Sequence, residues 1–214
     1  MYSLDDLKTL QPEVDYQGLM AQMPGLSHPR RKLKELQTKG HLIRLKKGFY
    51  VFSSEFIGRA YSPEIVGNLM YGPSYISLEY ALSYYGLIPE RVNVVTSITS
   101  QKNKSFQTPI GVFDYKHLAG QLYPIGVSVK AQDDGRSFLM ASREKALVDL
   151  FCVKFDKSLS PSPSDIREAL EDDLRINVNE LVKQLNSVSL EAMKESYRNR
   201  KWPHLLIKFL MENV

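Results

Sequence analysis

Twenty consecutive residues near the N-terminus hold all of the excess positive charge in this 214-residue chain. Residues 28–47 contain eight Lys or Arg side chains and one acid, Glu35, so their formal net charge is +7. Residues 1–27 carry a net charge of −3, and residues 48–214 contain nineteen charges of each sign. A local field of one sign attracts a polyanion, whereas scattered charges of both signs do not. The segment therefore indicates a surface that binds nucleic acid.

The first half of this basic segment predicts a helix over residues 28–39. Ser27 can cap its N-terminus, Pro29 suits its first turn, and Gly40 suits its C-terminal stop. Leu33 and Leu36 form one apolar stripe, and the basic side chains fall away from that stripe. We therefore expect a helix with leucines inside and cations outside.

The second half predicts a β-hairpin. Residues 41–45 and 49–52 have the composition of short strands, and Gly48 supplies the positive φ that a tight turn between them needs. Upstream, residues 3–10 and 16–23 show the apolar spacing of two short helices. The order helix, helix, helix, hairpin predicts a winged helix-turn-helix domain over residues 1–55.

This arrangement predicts binding to duplex DNA, whose major groove is about 12 Å wide and admits one α-helix. Arg30 and Arg31 lie in the first helical turn, where recognition helices contact bases, and Arg suits bidentate contact with guanine. RNA is the competing partner, but the sequence offers no aromatic stacking platform of the RRM or cold-shock kind. The predicted DNA-binding residues are Ser27, His28, Arg30, Arg31, Lys32, Lys34, Arg44, Lys46 and Lys47.

The remaining sequence predicts an α+β body over residues 56–157 and a helical tail over residues 158–214, so the expected fold class is α+β. The body is predicted to contain helices at 63–69, 77–85 and 142–155, strands at 92–96, 109–115, 121–130 and 138–140, and a loop or hairpin tip at 101–107. The predicted tail helices lie at about 164–171, 178–186, 189–198 and 203–213. Five tyrosines between positions 71 and 85 fit either a core with its rim or a protein interface.

The helix at residues 142–155 carries the clearest amphipathic pattern of the chain. Ser142 is its predicted N-cap. Arg143, Glu144, Lys145 and Asp149 are predicted to form its solvated face, with Lys145 and Asp149 as an exposed i,i+4 ion pair. The alternative, that these four charged residues form an active site, is less consistent with the amphipathic pattern of the helix.

No motif for catalysis, metal or cofactor binding is apparent. The four histidines are widely spaced, whereas a structural zinc needs clustered Cys and His pairs. Asp114, Glu79 and Lys116 could be fitted to a metal-dependent nuclease, but the strand from residue 109 offers one acid only. No P-loop, G-x-S-x-G motif or Cys/His nucleophile pair occurs, and Cys152 is predicted to be a buried thiol. The sequence therefore predicts a protein that is not an enzyme, with no metal and no cofactor.

Composition also predicts a cytoplasmic location. A single cysteine cannot form an internal disulfide, so nothing points to an oxidising compartment. The first residues are acidic and lack an apolar run, and no stretch has the roughly 18–20 apolar residues that a membrane span needs. We therefore expect no membrane association.

Several segments together resemble the AbiEi-type antitoxins. Residues 40–50, GHLIRLKKGFY, resemble the wing of that family, and residues 75–88, YISLEYALSYYGLI, resemble a segment of its body. A Val-Val-Thr strand at residues 94–96 and a Glu-Lys-Ala-Leu-x-Asp helix at residues 144–149 follow in the family's order. The resemblance covers about residues 1–155.

The resemblance implies a component of a type IV toxin–antitoxin system. The N-terminal winged helix of such proteins represses its own operon at promoter repeats, and the body counteracts a nucleotidyltransferase-like toxin, AbiEii. Only the basic helix and the wing carry over as DNA contacts. Two alternatives stay open: a stand-alone winged-helix transcription factor whose body binds a ligand or a protein, and a DNA-modifying enzyme that uses the body for catalysis.

Overall fold

A computed structural model of the chain describes residues 7–8, 10–118, 122–155 and 159–214. The chain is a mixed α and β protein. It divides into two compact units: unit 1 is Met1–Val66 with Gln107–Val112, and unit 2 is Gly67–Phe106 with Phe113–Val214. The predicted division at residues 55 and 158 differs from this one, because the helices after residue 158 belong to the same unit as the large sheet.

Unit 1 contains a small sheet and short helices. Its elements are β1 (Glu13–Asp15), α1 (Tyr16–Ala21), α2 (Pro29–Thr38), β2 (Leu42–Lys46), β3 (Phe49–Phe52) and α3 (Ser54–Ile57). The three strands pair antiparallel in the order β1-β3-β2. The predicted second and third helices and the predicted hairpin are confirmed, and Gly48 has the expected positive φ of 80°. Residues 3–6 and 9 of the helix predicted at residues 3–10 lie outside the described residues.

Two local predictions for unit 1 were wrong. His28, not Ser27, is the N-cap residue of α2, and its side chain makes no capping hydrogen bond. Pro29 takes the first helical position, so the carbonyl of His28 accepts the backbone N–H groups of Arg31 and Lys32. The strand β1 was not predicted, because three residues are too few to show an alternating pattern.

The core of unit 1 is apolar and continuous. Side chains from α1, α2 and all three strands contribute to it. Its buried members are Leu7, Val14, Leu19, Met23, Leu33, Leu36, Leu42, Tyr50, Phe52 and Ile57. Since Leu33 and Leu36 are both in this core, the inner face of α2 is fixed and its opposite face points to solvent.

The helix α4 (Pro63–Met70) begins in unit 1 and ends in unit 2. Unit 2 then contains β4 (Ser74–Ile76), α5 (Leu78–Tyr84), β5 (Val95–Thr99), β6 (Lys104–Thr108), β7 (Gly111–His117), β8 (Val127–Ala131), β9 (Ser137–Ala141), α6 (Arg143–Lys154), α7 (Pro163–Glu168), a π-helical segment (Ala169–Asp173), α8 (Val178–Val182), α9 (Ser187–Lys194) and α10 (Lys201–Asn213). The strands β6 and β7 include residues that cluster with unit 1.

The larger sheet has the strand order β6-β7-β5-β4-β9-β8 and mixes parallel with antiparallel pairs. The strand β5 is parallel to β7, and β4 is parallel to β9. The strand β4 pairs antiparallel with β5, and β8 pairs antiparallel with β9. Residues 101–107 were expected to form a loop or hairpin tip, and β6 shows that this prediction was wrong for residues 104–107. Its side chains are mostly exposed, so the strand carries no apolar signal.

The central helix of unit 2 is α6, which Ser142 caps by accepting the backbone N–H of Lys145. Its position is as predicted, but the predicted solvated face was wrong. Glu144, Lys145 and Asp149 are buried, and every residue from 144 to 152 is buried. The tail explains this burial, because α10 packs on α6, and Trp202 of α10 stacks on Phe155 with ring centroids 4.5 Å apart.

Candidate nucleic-acid interface

The solvent-facing side of α2 carries a group of exposed cations. Arg30, Arg31 and Lys34 are exposed, whereas Leu33 and Leu36, on the opposite side, are 6% and 1% exposed. None of the three cations forms an ion pair with any residue that the structure describes. Spacings of one, three and four residues put Arg30, Arg31 and Lys34 on one side of a helix. This side can therefore present two guanidinium groups and one ammonium group to an anionic partner.

The other cations of α2 are partly neutralised. Glu35 accepts from Lys32 Nζ at 3.0 Å and from Lys39 Nζ at 2.8 Å. The hydrogen bonds from Lys39 and Lys32 lower the pKa of Glu35 to about 2, so its carboxylate stays ionised throughout the neutral range. The available positive charge is therefore concentrated in the first and middle turns of the helix.

The hairpin adds basic residues to the same unit. Arg44 and Lys47 are exposed, and Lys46 is half-buried. The register shifts between Arg44 and Lys46, so Leu45 forms a β-bulge, and Arg44 Nε donates to the carbonyl of Lys46 at 3.3 Å. The carbonyl of Gly48 accepts the backbone N–H of Tyr16 at 2.9 Å. The turn is thereby tied to the start of α1.

All nine predicted DNA-binding residues lie in unit 1. The exposed ones are Ser27, His28, Arg30, Arg31, Lys34, Arg44 and Lys47, and the half-buried ones are Lys32 and Lys46. The sequence correctly predicted which side of α2 is buried. It did not predict the neutralisation of Lys32, although the spacing between Lys32 and Glu35 was a visible signal.

Unit 2 contains a buried polar cluster around the predicted Lys145–Asp149 pair, and its burial was not predicted. Lys145 Nζ lies 2.7 Å from Asp149 Oδ1, and both side chains are 0% exposed. Lys145 also donates to Tyr197 Oη and to the carbonyl of Leu122 at 2.9 Å. The i,i+4 spacing of the pair was visible in the sequence, but no neighbouring residue indicated that the pair would be buried.

Two hydroxyl groups complete the environment of Asp149. Its Oδ2 accepts from Ser77 Oγ at 2.8 Å and from Tyr75 Oη at 3.0 Å. Burial raises the pKa of Asp149, while the Lys145 ammonium and the two hydroxyl donors oppose that rise. Burial also raises the pKa values of Tyr75 and Tyr197. Because solvent does not reach Lys145 or Asp149, we assign this cluster to the stability of unit 2.

A cavity of about 550 Å³ in unit 2 brings together the residues considered for a nuclease. Glu79, Asp114 and Lys116 all line it, beside several apolar side chains. Asp114 Oδ2 lies 2.9 Å from Lys116 Nζ, so this carboxylate already has a cationic partner. In the part of the chain that the structure describes, no three His, Cys, Asp or Glu side chains cluster as a metal site would require.

Two further predictions from the sequence concern Cys152 and membrane-spanning helices. Cys152 is a buried thiol that forms no disulfide, as predicted. Over the described ranges, no helix is both long enough and apolar enough to span a membrane.

No protein-family model matches this sequence, and no curated protein is significantly similar to it. The resemblance to AbiEi-type antitoxins therefore depends on the order and spacing of the motifs quoted above. The geometry and charge of unit 1 are the structural basis for a proposed function.

Proposed function

We propose that this protein is a cytoplasmic DNA-binding transcriptional autoregulator and the antitoxin of a type IV toxin–antitoxin system. It represses its own operon by binding promoter repeats, and it counteracts a nucleotidyltransferase-like toxin without catalysing a reaction. The observation that carries the proposal is the exposed side of α2, where Arg30, Arg31 and Lys34 have no anionic partner among the described residues.

The order of elements in unit 1 supports a winged helix-turn-helix. A short strand precedes two helices, a hairpin follows them, and the first strand pairs with the second strand of that hairpin. In this reading α2 is the recognition helix and β2-β3 is the wing. Residues 22–28 connect α1 with α2, and this connection is longer than the three to four residues of the usual helix-turn-helix.

The dimensions of α2 fit the proposed role. An α-helix with its side chains is about 10–12 Å in diameter, which fits the major groove width of about 12 Å, and the ten residues of α2 span about 15 Å along the helix axis. The positive end of the helix macrodipole lies at Pro29, next to Arg30 and Arg31, and adds to the attraction for phosphate. Lys46 and Lys47 of the wing can then contact the DNA backbone beside the groove.

The affinity of the intact protein for promoter DNA should fall steeply with salt. If about five or six phosphates are neutralised, a plot of log K against log salt should have a slope near −5. Fluorescence anisotropy with a labelled duplex between about 50 and 300 mM salt measures this slope. A slope near zero contradicts the DNA-binding half of the proposal.

A cleavage assay on the same duplex tests the enzymatic alternative, for which the cavity lined by Glu79, Asp114 and Lys116 is the candidate site. Incubation with Mg²⁺ should leave the duplex intact on a denaturing gel. Cleavage that Asp114→Asn abolishes would replace the autoregulator with a DNA-modifying enzyme.

The antitoxin half of the proposal is tested in cells. Co-expression with a nucleotidyltransferase-like protein encoded beside this gene should restore growth that the toxin alone arrests. The double variant R30Q/R31Q should still restore growth if neutralisation resides outside the DNA-binding helix. Failure of the unmodified protein to restore growth favours the stand-alone transcription factor.

A further inference from the structure

A concave polar cavity of about 610 Å³ lies in unit 2, and neither Lys145 nor Asp149 lines it. It is open to solvent and is lined by Tyr85, the edge strand β8, the N-terminus of α6, and residues 183–189, which connect α8 to α9 and begin α9. The residues that matter for its chemistry are Tyr85, Lys130, Arg143, Glu144, Lys183 and Asn186.

Two cations of this cavity lie against the same aromatic ring. Arg143 Cζ is 4.8 Å and Lys130 Nζ is 5.2 Å from the ring centroid of Tyr85. Neither cation forms an ion pair with any described residue. Lys183, by contrast, is paired with Glu180 at 2.7 Å. Two neighbouring cations without a carboxylate partner create a local field that favours an anion.

Arg143 also has an unmet hydrogen-bonding requirement. Its Nε is buried, and no atom of the described residues accepts a hydrogen bond from it. A buried donor on a charged group normally has an acceptor, because an unsatisfied one is costly. The protein itself therefore leaves one donor of this guanidinium without an acceptor among the described residues.

Glu144 and Tyr85 line the same cavity, and each is hydrogen-bonded to the backbone. Glu144, the one acid among the described residues that line the cavity, accepts the backbone N–H of Asn186 at 2.7 Å. Tyr85 donates its hydroxyl to the carbonyl of Ala141 at 2.8 Å. Burial raises the pKa of Tyr85 to about 12, so its phenol is neutral at physiological pH.

Two helices start at the cavity and reinforce its positive potential. The N-cap of α6 is Ser142 and that of α9 is Asn186, and both residues line the cavity. The N-terminus of each helix carries a partial positive charge. These two dipoles and the two unpaired cations act in the same direction.

We propose that this cavity binds the phosphate group of a small phosphorylated molecule, with Arg143 and Lys130 as its ligands. Arg offers a planar fork that matches phosphate oxygens, and Lys adds a point charge. Hydroxyl and amide side chains at the wall, such as Asn186, suit a polar ligand held in a concavity. This site is independent of DNA binding by unit 1.

Isothermal titration of the intact protein with inorganic phosphate, and separately with AMP, tests the site at constant ionic strength. We expect saturable binding that Arg143→Gln and Lys130→Gln each weaken by about tenfold or more. Matched controls are Arg167→Gln and Lys104→Gln, because these cations lie 5.4 Å from the Phe209 ring and 5.3 Å from the Phe106 ring, outside the cavity. The controls should change the affinity by less than about twofold.

The two probes distinguish the sources of the phosphate. Tighter binding of AMP than of phosphate assigns the cavity to a nucleotide, and equal binding assigns it to the phosphate group alone; both results support the proposal. Absence of saturable binding, or binding that R143Q and K130Q leave unchanged, overturns it. If circular dichroism shows that R143Q does not fold, the binding measured for K130Q decides the test, because Lys130 lies on an edge strand and is half-buried.

A further variant separates this proposal from the proposed function. R30Q/R31Q should bind AMP and phosphate as the unmodified protein does, even though its binding to DNA is impaired. Loss of AMP and phosphate binding in R30Q/R31Q would assign these anions to α2 and would overturn the cavity site.

Discussion

Replacing Lys145 by Met should lower the free energy of unfolding by about 3–5 kcal/mol, the usual cost of removing one partner from a buried ion pair. The substitution leaves Asp149, which is 0% exposed, without its cationic partner. It also removes the donor to Tyr197 Oη and to the carbonyl of Leu122. Urea denaturation followed by circular dichroism measures this change.

The structure offers a matched control for this substitution. Lys116 is paired with Asp114 at 2.9 Å, but the two side chains are 38% and 25% exposed, so Lys116→Met should cost less than about 1 kcal/mol. The double variant K145M/D149L removes both buried charges and should be more stable than K145M alone. Equal costs for K145M and K116M would show that the buried pair contributes no more than a surface pair.

The double variant R30Q/R31Q should weaken specific DNA binding by at least about 30-fold, because each Arg contact to a base contributes about 1–3 kcal/mol. The salt slope should change less than it does in K46Q/K47Q, because bases rather than phosphates are the proposed contacts of Arg30 and Arg31. Discrimination between promoter repeats and unrelated duplex should also fall. Fluorescence anisotropy on both duplexes measures all three effects.

Two other variants test whether the loss of sequence discrimination is specific to Arg30 and Arg31. K46Q/K47Q should weaken binding to all duplexes by a similar factor, because the wing is proposed to contact the backbone. Glu35→Gln should strengthen binding by about two- to fivefold, because it removes a negative charge and releases Lys32 and Lys39. If R30Q/R31Q binds promoter DNA as well as the unmodified protein does, α2 is not the recognition helix.

Local sequence predicted most of unit 1. Pro29, Leu33, Leu36 and Gly40 mark the beginning, the inner face and the end of α2 within a span of twelve residues, and each acts through its nearest neighbours in the chain. The N-cap was misassigned by one residue, which is the usual uncertainty at a helix boundary. The exposure of Arg30, Arg31 and Lys34 follows directly from the helical period, so the candidate interface can be predicted from the sequence alone.

Sequence reasoning failed where distant segments meet. Lys145 and Asp149 have the spacing of an ordinary surface pair, yet α10 covers α6, and Tyr75, Ser77 and Tyr197 approach from 52 to 74 residues away in the chain. The cavity at Arg143 has the same origin, because Asn186, at the start of α9, lies 42 residues from Glu144 in the chain.

The sequence by itself determined the basic helix, its orientation and the hairpin beside it, because helical and turn preferences are properties of a few adjacent residues. Only the tertiary structure decided which charges of unit 2 are buried together and which are left facing a cavity. The physical reason is that the sequence pattern around a charged residue is the same whether its side chain faces water or is buried in a core. The environment of that side chain is set by the segments that pack over it.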